Sequence, residues 1–168
     1  YKSSFDYPNN PFGNQLKTTA EFINSDLDSK VYYAAMGGFD THANQLNKQS
    51  KLLQTYADAI AVFVNDLKKN DRFKDTLILT FSEFGRRVQQ NAAGGTDHGA
   101  ANNIFLIGEN LKKKGFYNDA PNLLKLDNNG DLVHTIDFRT VYATILDKWL
   151  QVDDTAILNK SFRKLHFI

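Results

Sequence analysis

Three short stretches of the chain carry carboxylate and imidazole side chains at spacings suited to metal binding. In the first, Gly-Gly-Phe-Asp-Thr-His, Asp40 and His42 are two residues apart. Residues i and i+2 of an extended backbone point to the same face, so these two side chains can converge on one ligand. A carboxylate oxygen and an imidazole nitrogen together suit a divalent ion such as zinc. The alternative is that Asp40 or Thr41 caps the following helix and that His42 is a surface residue of its first turn.

The second stretch, Gly-Gly-Thr-Asp-His-Gly, contains Asp97 and His98. Adjacent side chains of an extended backbone point to opposite faces, so the two would not face one metal equally. Either each binds a different ion, or His98 is a metal ligand and Asp97 orients a ligand through a hydrogen bond without contacting the ion. The alternative for His98 is an ordinary hydrogen-bonded loop histidine.

The third stretch, Ser-Glu-Phe-Gly-Arg-Arg, follows a predicted strand and contains Glu83, Arg86 and Arg87. Glu83 is expected to join Asp40 and His42 at the metal site; alternatively, it is a loop carboxylate paired with one of the arginines. Arg86 and Arg87 are expected to hold an anionic substrate group, because guanidinium binds such groups through two parallel hydrogen bonds.

The composition of the chain excludes several classes of function. The 168 residues carry a formal net charge of +1, so no strong positive field favours nucleic acid or a membrane surface. No apolar run approaches the ~20 residues that span a bilayer. There is no cysteine, which excludes disulfides and thiolate metal sites. The length predicts a single domain, 1–168. Because the chain begins at Tyr1 without an initiator methionine, we expect it to be part of a longer protein.

Hydrophobic periodicity predicts an α/β fold, with a mostly parallel sheet flanked by helices. Steps of three and four between apolar residues are typical of amphipathic helices, and short continuous apolar runs are typical of buried strands. The predicted strands are Val31–Met36, Leu77–Phe81 and Ile104–Ile107; the predicted helices are Gln15–Leu27, Leu46–Lys69, one that begins after Asp137, and Thr155–Leu158. Residues Glu83–Ala101 are predicted to form a long loop. Strand, helix and strand in succession predict a βαβ unit, whose carboxyl edge would gather the three stretches.

The order of these motifs resembles a bacterial family, the domain of unknown function 1501. The resemblance rests on GGFDTH, an amphipathic helix, SEFGR, GTDHG and the helix start Asp-Phe-Arg at Asp137, and it covers nearly the whole chain. That family in turn resembles the alkaline phosphatase and sulfatase superfamily. The resemblance implies an alkaline phosphatase-like fold, of which this chain would be the carboxyl-terminal part, its partner being the amino-terminal half of the same protein.

The resemblance also implies roles for individual residues. Asp40 and His42 match an aspartate and a histidine that share one zinc ion, and His98 matches the late histidine that completes that site. Glu83 stands where the phosphatases have the aspartate of an Asp-His pair, whereas Phe84 replaces its histidine. The superfamily's nucleophile comes from the amino-terminal half, so none can be assigned in this chain.

The implied function is a metal-dependent hydrolase-like domain that acts on a phosphate or sulfate ester. Its ligand would be a small anionic ester or a sulfated or phosphorylated sugar, and its cofactor zinc, with magnesium and calcium as alternatives. The competing hypothesis is a non-catalytic module of the same fold that binds an anionic or carbohydrate ligand. The resemblance alone implies a periplasmic or secreted protein, with no nucleic-acid partner and no membrane span.

Overall fold

Two helices, α1 (Pro11–Asn24) and α2 (Gln45–Lys69), form the core of the first of two units into which the chain divides. The computed structural model describes residues 1–168. The first unit comprises Tyr1–Leu77 and Gln90–Asp97, and the second comprises Ile78–Gln89 and His98–Ile168. None of the helices has the length and apolar character needed to cross a bilayer.

Helix α1 begins earlier than the periodicity indicated. Asn10 caps it by accepting a hydrogen bond from the Gly13 N–H at 2.9 Å, and Pro11 occupies its first turn, where a missing N–H costs nothing. Leu16 and Ala20 of α1 are buried. The predicted helix Gln15–Leu27 is therefore confirmed in type but displaced towards the amino terminus, because local capping decides where the helix starts.

Helix α2 agrees closely with the predicted helix Leu46–Lys69. Its buried residues recur at helical spacing and include Ile60, Phe63 and Leu67, and the helix packs against α1. The rings of Phe12 and Tyr56 stack between the two helices, with centroids 6.1 Å apart. A 3-10 turn, Phe73–Asp75, follows α2.

A buried carboxylate, Asp66 of α2, ties the amino-terminal arm to the helices. Asp66 is fully buried and accepts hydrogen bonds from five neutral donors: Tyr1 Oη at 2.7 Å, Ser3 Oγ at 2.5 Å, Tyr7 Oη at 3.0 Å, Asn24 Nδ2 at 3.2 Å and Asn70 Nδ2 at 3.1 Å. Burial, and next the charge of Asp66, raise the pKa of the Tyr7 hydroxyl, which therefore remains a donor.

The predicted strand Val31–Met36 is wrong, since this segment has no strand beside it. The Gln15 side chain forms hydrogen bonds with both backbone groups of Ala35: it donates to the carbonyl at 3.1 Å and accepts from the N–H at 2.9 Å. Tyr32 stacks on Phe22 of α1, whereas Tyr33 is 76% exposed. The apolar run therefore lies extended along α1 and is not covered on both faces.

The second unit contains a small antiparallel sheet in place of the expected parallel one. Strand β1 (Ile78–Thr80) pairs antiparallel with β4 (Phe105–Ile107), and Leu79 lies opposite Leu106. Strands β2 (Gly85–Gln90) and β3 (Thr96–Gly99) form a separate two-stranded sheet. The loop predicted between residues 83 and 101 is therefore largely a hairpin, and its tip, 90–97, belongs to the first unit.

These sheets overturn the predicted α/β fold with a mostly parallel, alkaline phosphatase-like sheet. Helices make up 35% of the chain, and both sheets are small, two-stranded and antiparallel. The strands at Leu77–Phe81 and Ile104–Ile107 exist in shortened form, but they pair with each other in opposite directions. A βαβ crossover is therefore absent, and no parallel sheet edge gathers the three motif stretches.

The carboxyl-terminal helices follow local signals. Asp137 caps α3 (Phe138–Thr144) by accepting from the Arg139 N–H at 2.9 Å, and the chain continues as a π-helical segment, Ile145–Trp149. Helix α4 (Asp154–Leu158) confirms the predicted tail helix. Hydrogen bonds from the Arg139 side chain lower the pKa of the Asp137 carboxyl to about 2.

The environment of Asp66 predicts a large loss of stability on its removal. Asp66→Ala would remove the carboxylate from five donors, of which only Asn70 Nδ2 also donates to the backbone carbonyl of residue 66, so we expect the free energy of unfolding to fall by about 3 kcal/mol or more, measured by urea denaturation. Asp58→Ala is the matched control, since Asp58 is an exposed carboxylate of the same helix. Equal losses in the two variants would contradict the assignment.

The capping role of Asp137 predicts a stability difference that depends on pH. At pH 7, Asp137→Ala should lower the free energy of unfolding by about 1 kcal/mol through loss of the cap. The folded-state pKa of about 2 lies below the unfolded value of ~3.9, so the carboxylate contributes fully above pH ~4. Its contribution is lost as the pH falls towards 2, and the difference from wild type should shrink there. Asp137→Asn keeps a neutral cap, so its difference from wild type at pH 7 should be smaller than that of Asp137→Ala, and it should also shrink towards pH 2. A difference for Asp137→Ala that stays constant with pH would refute this account.

Candidate metal centre

Asp40 and His42 lie together at the surface of the first unit. The Oδ1 atom of Asp40 is 2.8 Å from Nε2 of His42. The Asp40 side chain is 65% exposed and the His42 side chain 47% exposed, so both can be reached from solvent. The two side chains converge, although the backbone is not simply extended here: the Thr41 N–H donates to the Phe39 carbonyl at 2.9 Å, which closes a tight turn at Asp40.

The second imidazole nitrogen of His42 faces another carboxylate. Nδ1 of His42 is 3.4 Å from Oδ1 of Asp97, a residue that follows it by 55 positions. The ring of His42 therefore lies between two carboxylates, one at each nitrogen. We call Asp40, His42 and Asp97 the Asp-His-Asp cluster, and all three belong to the first unit.

The tip of the β2–β3 hairpin brings Asp97 to this position. The backbone N–H groups of Asn44 and Gln45 donate to the carbonyls of Ala93 and Gly94, at 3.1 and 3.0 Å. Gly95 packs directly on the His42 backbone, and a Cβ atom there would lie 2.3 Å from the His42 carbonyl carbon. Only glycine permits this approach, which explains one of the two adjacent glycines in the second stretch.

The capping alternative for Asp40 and Thr41 does not agree with the start of α2. The N-cap residue is Asn44, in a left-handed conformation with φ 49° and without a side-chain capping bond. Thr41 is buried, and its hydroxyl lies 3.4 Å from Oε1 of Gln49. Asp40 stands four residues before the cap, so the carbonyls of the hairpin tip, and not Asp40, satisfy the first N–H groups of this region.

The donor set of the cluster is suited to a divalent metal ion. Two ligand atoms of a tetrahedral zinc ion lie ~3.3 Å apart, close to the 2.8 Å between Asp40 Oδ1 and His42 Nε2. A carboxylate behind the other imidazole nitrogen is the usual means of orienting a metal-binding histidine, and Asp97 stands there. The same geometry also satisfies a protonated ring that donates to both carboxylates, so an ion would compete with a proton at Nε2.

The remaining predicted ligands, Glu83 and His98, belong to the second unit. The ring of His98 stacks on Phe84, with centroids 3.8 Å apart and planes inclined by 8°. Glu83 is exposed in the bend between β1 and β2. Within the first unit the structure brings together Asp40, His42 and Asp97; a ligand role for Glu83 and His98 stays a prediction.

The two arginines predicted to bind substrate have partners within the second unit. The guanidinium group of Arg86 lies over the Phe84 ring, 5.1 Å from its centroid. Nε of Arg87 is 3.1 Å from Oδ1 of Asp131. Pairing with Asp131 was not foreseen, because nothing in the sequence connects positions 87 and 131. Binding of an anionic substrate by Arg86 and Arg87 stays a prediction.

One residue that supports the cluster carries no motif signal. Oδ1 of Asn91 accepts hydrogen bonds from the N–H groups of Ala93 and Gly95, at 3.0 Å each, and so closes the hairpin tip. Asparagine is common in turns for this reason, but its type alone does not show that it stands beside a histidine 49 residues earlier. The only available signal was the turn-forming run Asn-Ala-Ala-Gly-Gly.

Comparison with known proteins gives a family but no function. No curated protein and no solved structure matches the chain. A family model described as "Protein of unknown function (DUF1501)" matches residues 22–161, a span that includes the Asp-His-Asp cluster and all three motif stretches. The chain therefore belongs to the DUF1501 family of proteins of unknown function.

Proposed function

We propose that the chain is a metal-dependent hydrolase-like domain that acts on a phosphate or sulfate ester. The observation that carries the proposal is the Asp-His-Asp cluster, in which His42 Nε2 and Asp40 Oδ1 lie 2.8 Å apart at an accessible surface. Asp40 and His42 would hold the ion, and Asp97 would hold the His42 ring. Zinc fits a mixed oxygen and nitrogen donor set, whereas magnesium and calcium generally prefer oxygen alone.

Each residue of the cluster has a distinct task in this proposal. If Nδ1 of His42 carries the proton, it would donate to Asp97, 3.4 Å away, and the lone pair of Nε2 would be available to an ion bound between Nε2 and Asp40 Oδ1. Asp40 supplies negative charge that offsets the charge of the ion. The chemistry that a bound ion supplies is Lewis-acid polarisation of an ester oxygen.

The exposure of the cluster favours a catalytic over a purely structural metal site. Structural zinc sites are generally closed by four protein ligands, whereas catalytic sites leave a position open for water or substrate. Asp40 and His42 provide two ligand atoms and remain about half exposed or more. A substrate can therefore reach an ion held there.

The first test is zinc binding by isothermal titration calorimetry. We expect one saturable site in the wild type, and at least about tenfold weaker binding in His42→Ala and in Asp40→Asn, since each removes a ligand atom. His134→Ala is the matched control and should bind as wild type does. His98→Ala tests the sequence-based ligand prediction and should also weaken binding. Affinity should fall as the pH decreases through the range in which imidazole generally takes up a proton. Absence of saturable binding, or wild-type affinity in His42→Ala, would refute the metal site.

The second test is hydrolysis of chromogenic phosphate and sulfate esters by the zinc-loaded protein that includes the amino-terminal half, because that half is expected to supply the nucleophile. Product release should stop on addition of a chelator and return with zinc, and it should be lost in His42→Ala but retained in His134→Ala. A protein that binds zinc at the cluster without hydrolysing either class of ester would refute the hydrolase function and leave the metal site intact.

A further inference from the structure

Asn91 connects the two chain segments that form the Asp-His-Asp cluster. Its Nδ2 donates to the backbone carbonyl of His42 at 3.0 Å, and it lies 3.4 Å from Oδ1 of Asp97. That same Asp97 oxygen faces Nδ1 of His42. We infer that Asn91 is a positioning residue that sets the metal affinity of the cluster by holding Asp97 against the His42 ring, an inference that rests on the proposed function.

The orientation of the Asn91 amide is determined by its neighbours. Oδ1 faces two backbone donors, the N–H groups of Ala93 and Gly95. Nδ2 faces two acceptors, the His42 carbonyl and the Asp97 carboxylate. An amide rotated by 180° would place donors against donors and acceptors against acceptors, so only one orientation satisfies all four groups.

The backbone of Asn91 is fixed as firmly as its side chain. Its N–H donates to the Gly95 carbonyl at 2.8 Å, and its carbonyl accepts from the Gly94 N–H at 3.2 Å. Gly95 in turn lies against the His42 backbone, where no Cβ fits. Asn91 therefore has little freedom to move, and an amide held in this way restrains both partners of Nδ2.

Asn91 stabilises the position of Asp97 beside His42. Asp97 is 60% exposed, and the orientation of an exposed carboxylate depends on the polar groups beside it. The Asn91 amide attracts Oδ1 without neutralising its charge, so the carboxylate remains an acceptor for the imidazole. Loss of a group that orients a metal-binding histidine typically weakens metal affinity 10- to 100-fold.

Asn91→Asp separates positioning from simple charge. The variant keeps an oxygen for the Ala93 and Gly95 N–H groups, but it places a second oxygen against the His42 carbonyl and the Asp97 carboxylate. Repulsion should move Asp97 away from the ring and weaken zinc binding about tenfold or more, although the added negative charge by itself would strengthen it. Asn44→Asp is the matched control, because it adds the same charge two residues from His42 and its side chain makes no capping bond. It should bind zinc at least as tightly as wild type.

A double variant tests whether Asn91 acts through Asp97. Asn91→Asp combined with Asp97→Asn reverses donor and acceptor while the total charge stays that of wild type. If the two side chains act together, the double variant should lose less affinity than the product of the two single losses. Independent losses, or equal zinc affinity in Asn91→Asp and Asn44→Asp, would overturn the inference, because a general role in loop stability produces no such coupling.

A metal-free measurement distinguishes this inference from the proposed function. In NMR spectra of the zinc-free protein, Asn91→Asp should shift the ring resonances of His42, whereas Asn44→Asp should leave them in place. Unshifted resonances in Asn91→Asp would overturn the positioning role. If the wild type binds no zinc, the proposed function and the link to metal affinity are both refuted. Shifted resonances would then support only the role of Asn91 in positioning Asp97 beside the His42 ring.

Discussion

The candidate site depends on the backbone contact between the hairpin tip, residues 90–97, and the chain that leads into α2. Carbonyl groups of the tip accept hydrogen bonds from the N–H groups of Asn44 and Gln45, and Gly95 lies against the His42 backbone. This contact replaces the side-chain cap that α2 lacks, and it sets Asp97 beside His42. A helix start and a cluster of ionisable groups thus share one structural cause.

The two carboxylate environments of the first unit are opposite in character. Asp66 is fully buried, and five neutral donors surround it, an arrangement that satisfies a carboxylate and leaves it unavailable for binding. Asp40 and Asp97 are mostly exposed, and both are directed at one imidazole. The contrast separates a carboxylate that holds the unit together from carboxylates that remain accessible to a ligand.

Local signals in the sequence predicted local structure well. The apolar stripe of α2 and the cap at Asp137 are interactions between residues a few positions apart, so spacing reveals them. The i, i+2 spacing likewise indicated that Asp40 and His42 converge.

Pairing between distant segments could not be predicted from the sequence. Periodicity does not show that β1 pairs with β4, or in which direction. It also does not show that the Gln15 side chain, and not a neighbouring strand, bonds to the backbone of Ala35. The Gly-Gly pair at 94–95 is a hairpin signal that an interpretation of residues 83–101 as a loop overlooked.

The separation between the two halves of the Asp-His-Asp cluster has a kinetic consequence. Because His42 and Asp97 are 55 positions apart, their contact carries a loop-closure cost that the hydrogen bonds within α1 and α2 do not share. The helices can form early, whereas the hairpin tip docks only after its own turn has closed. An ion that binds only the docked cluster would therefore slow the reopening of the tip more than it speeds folding.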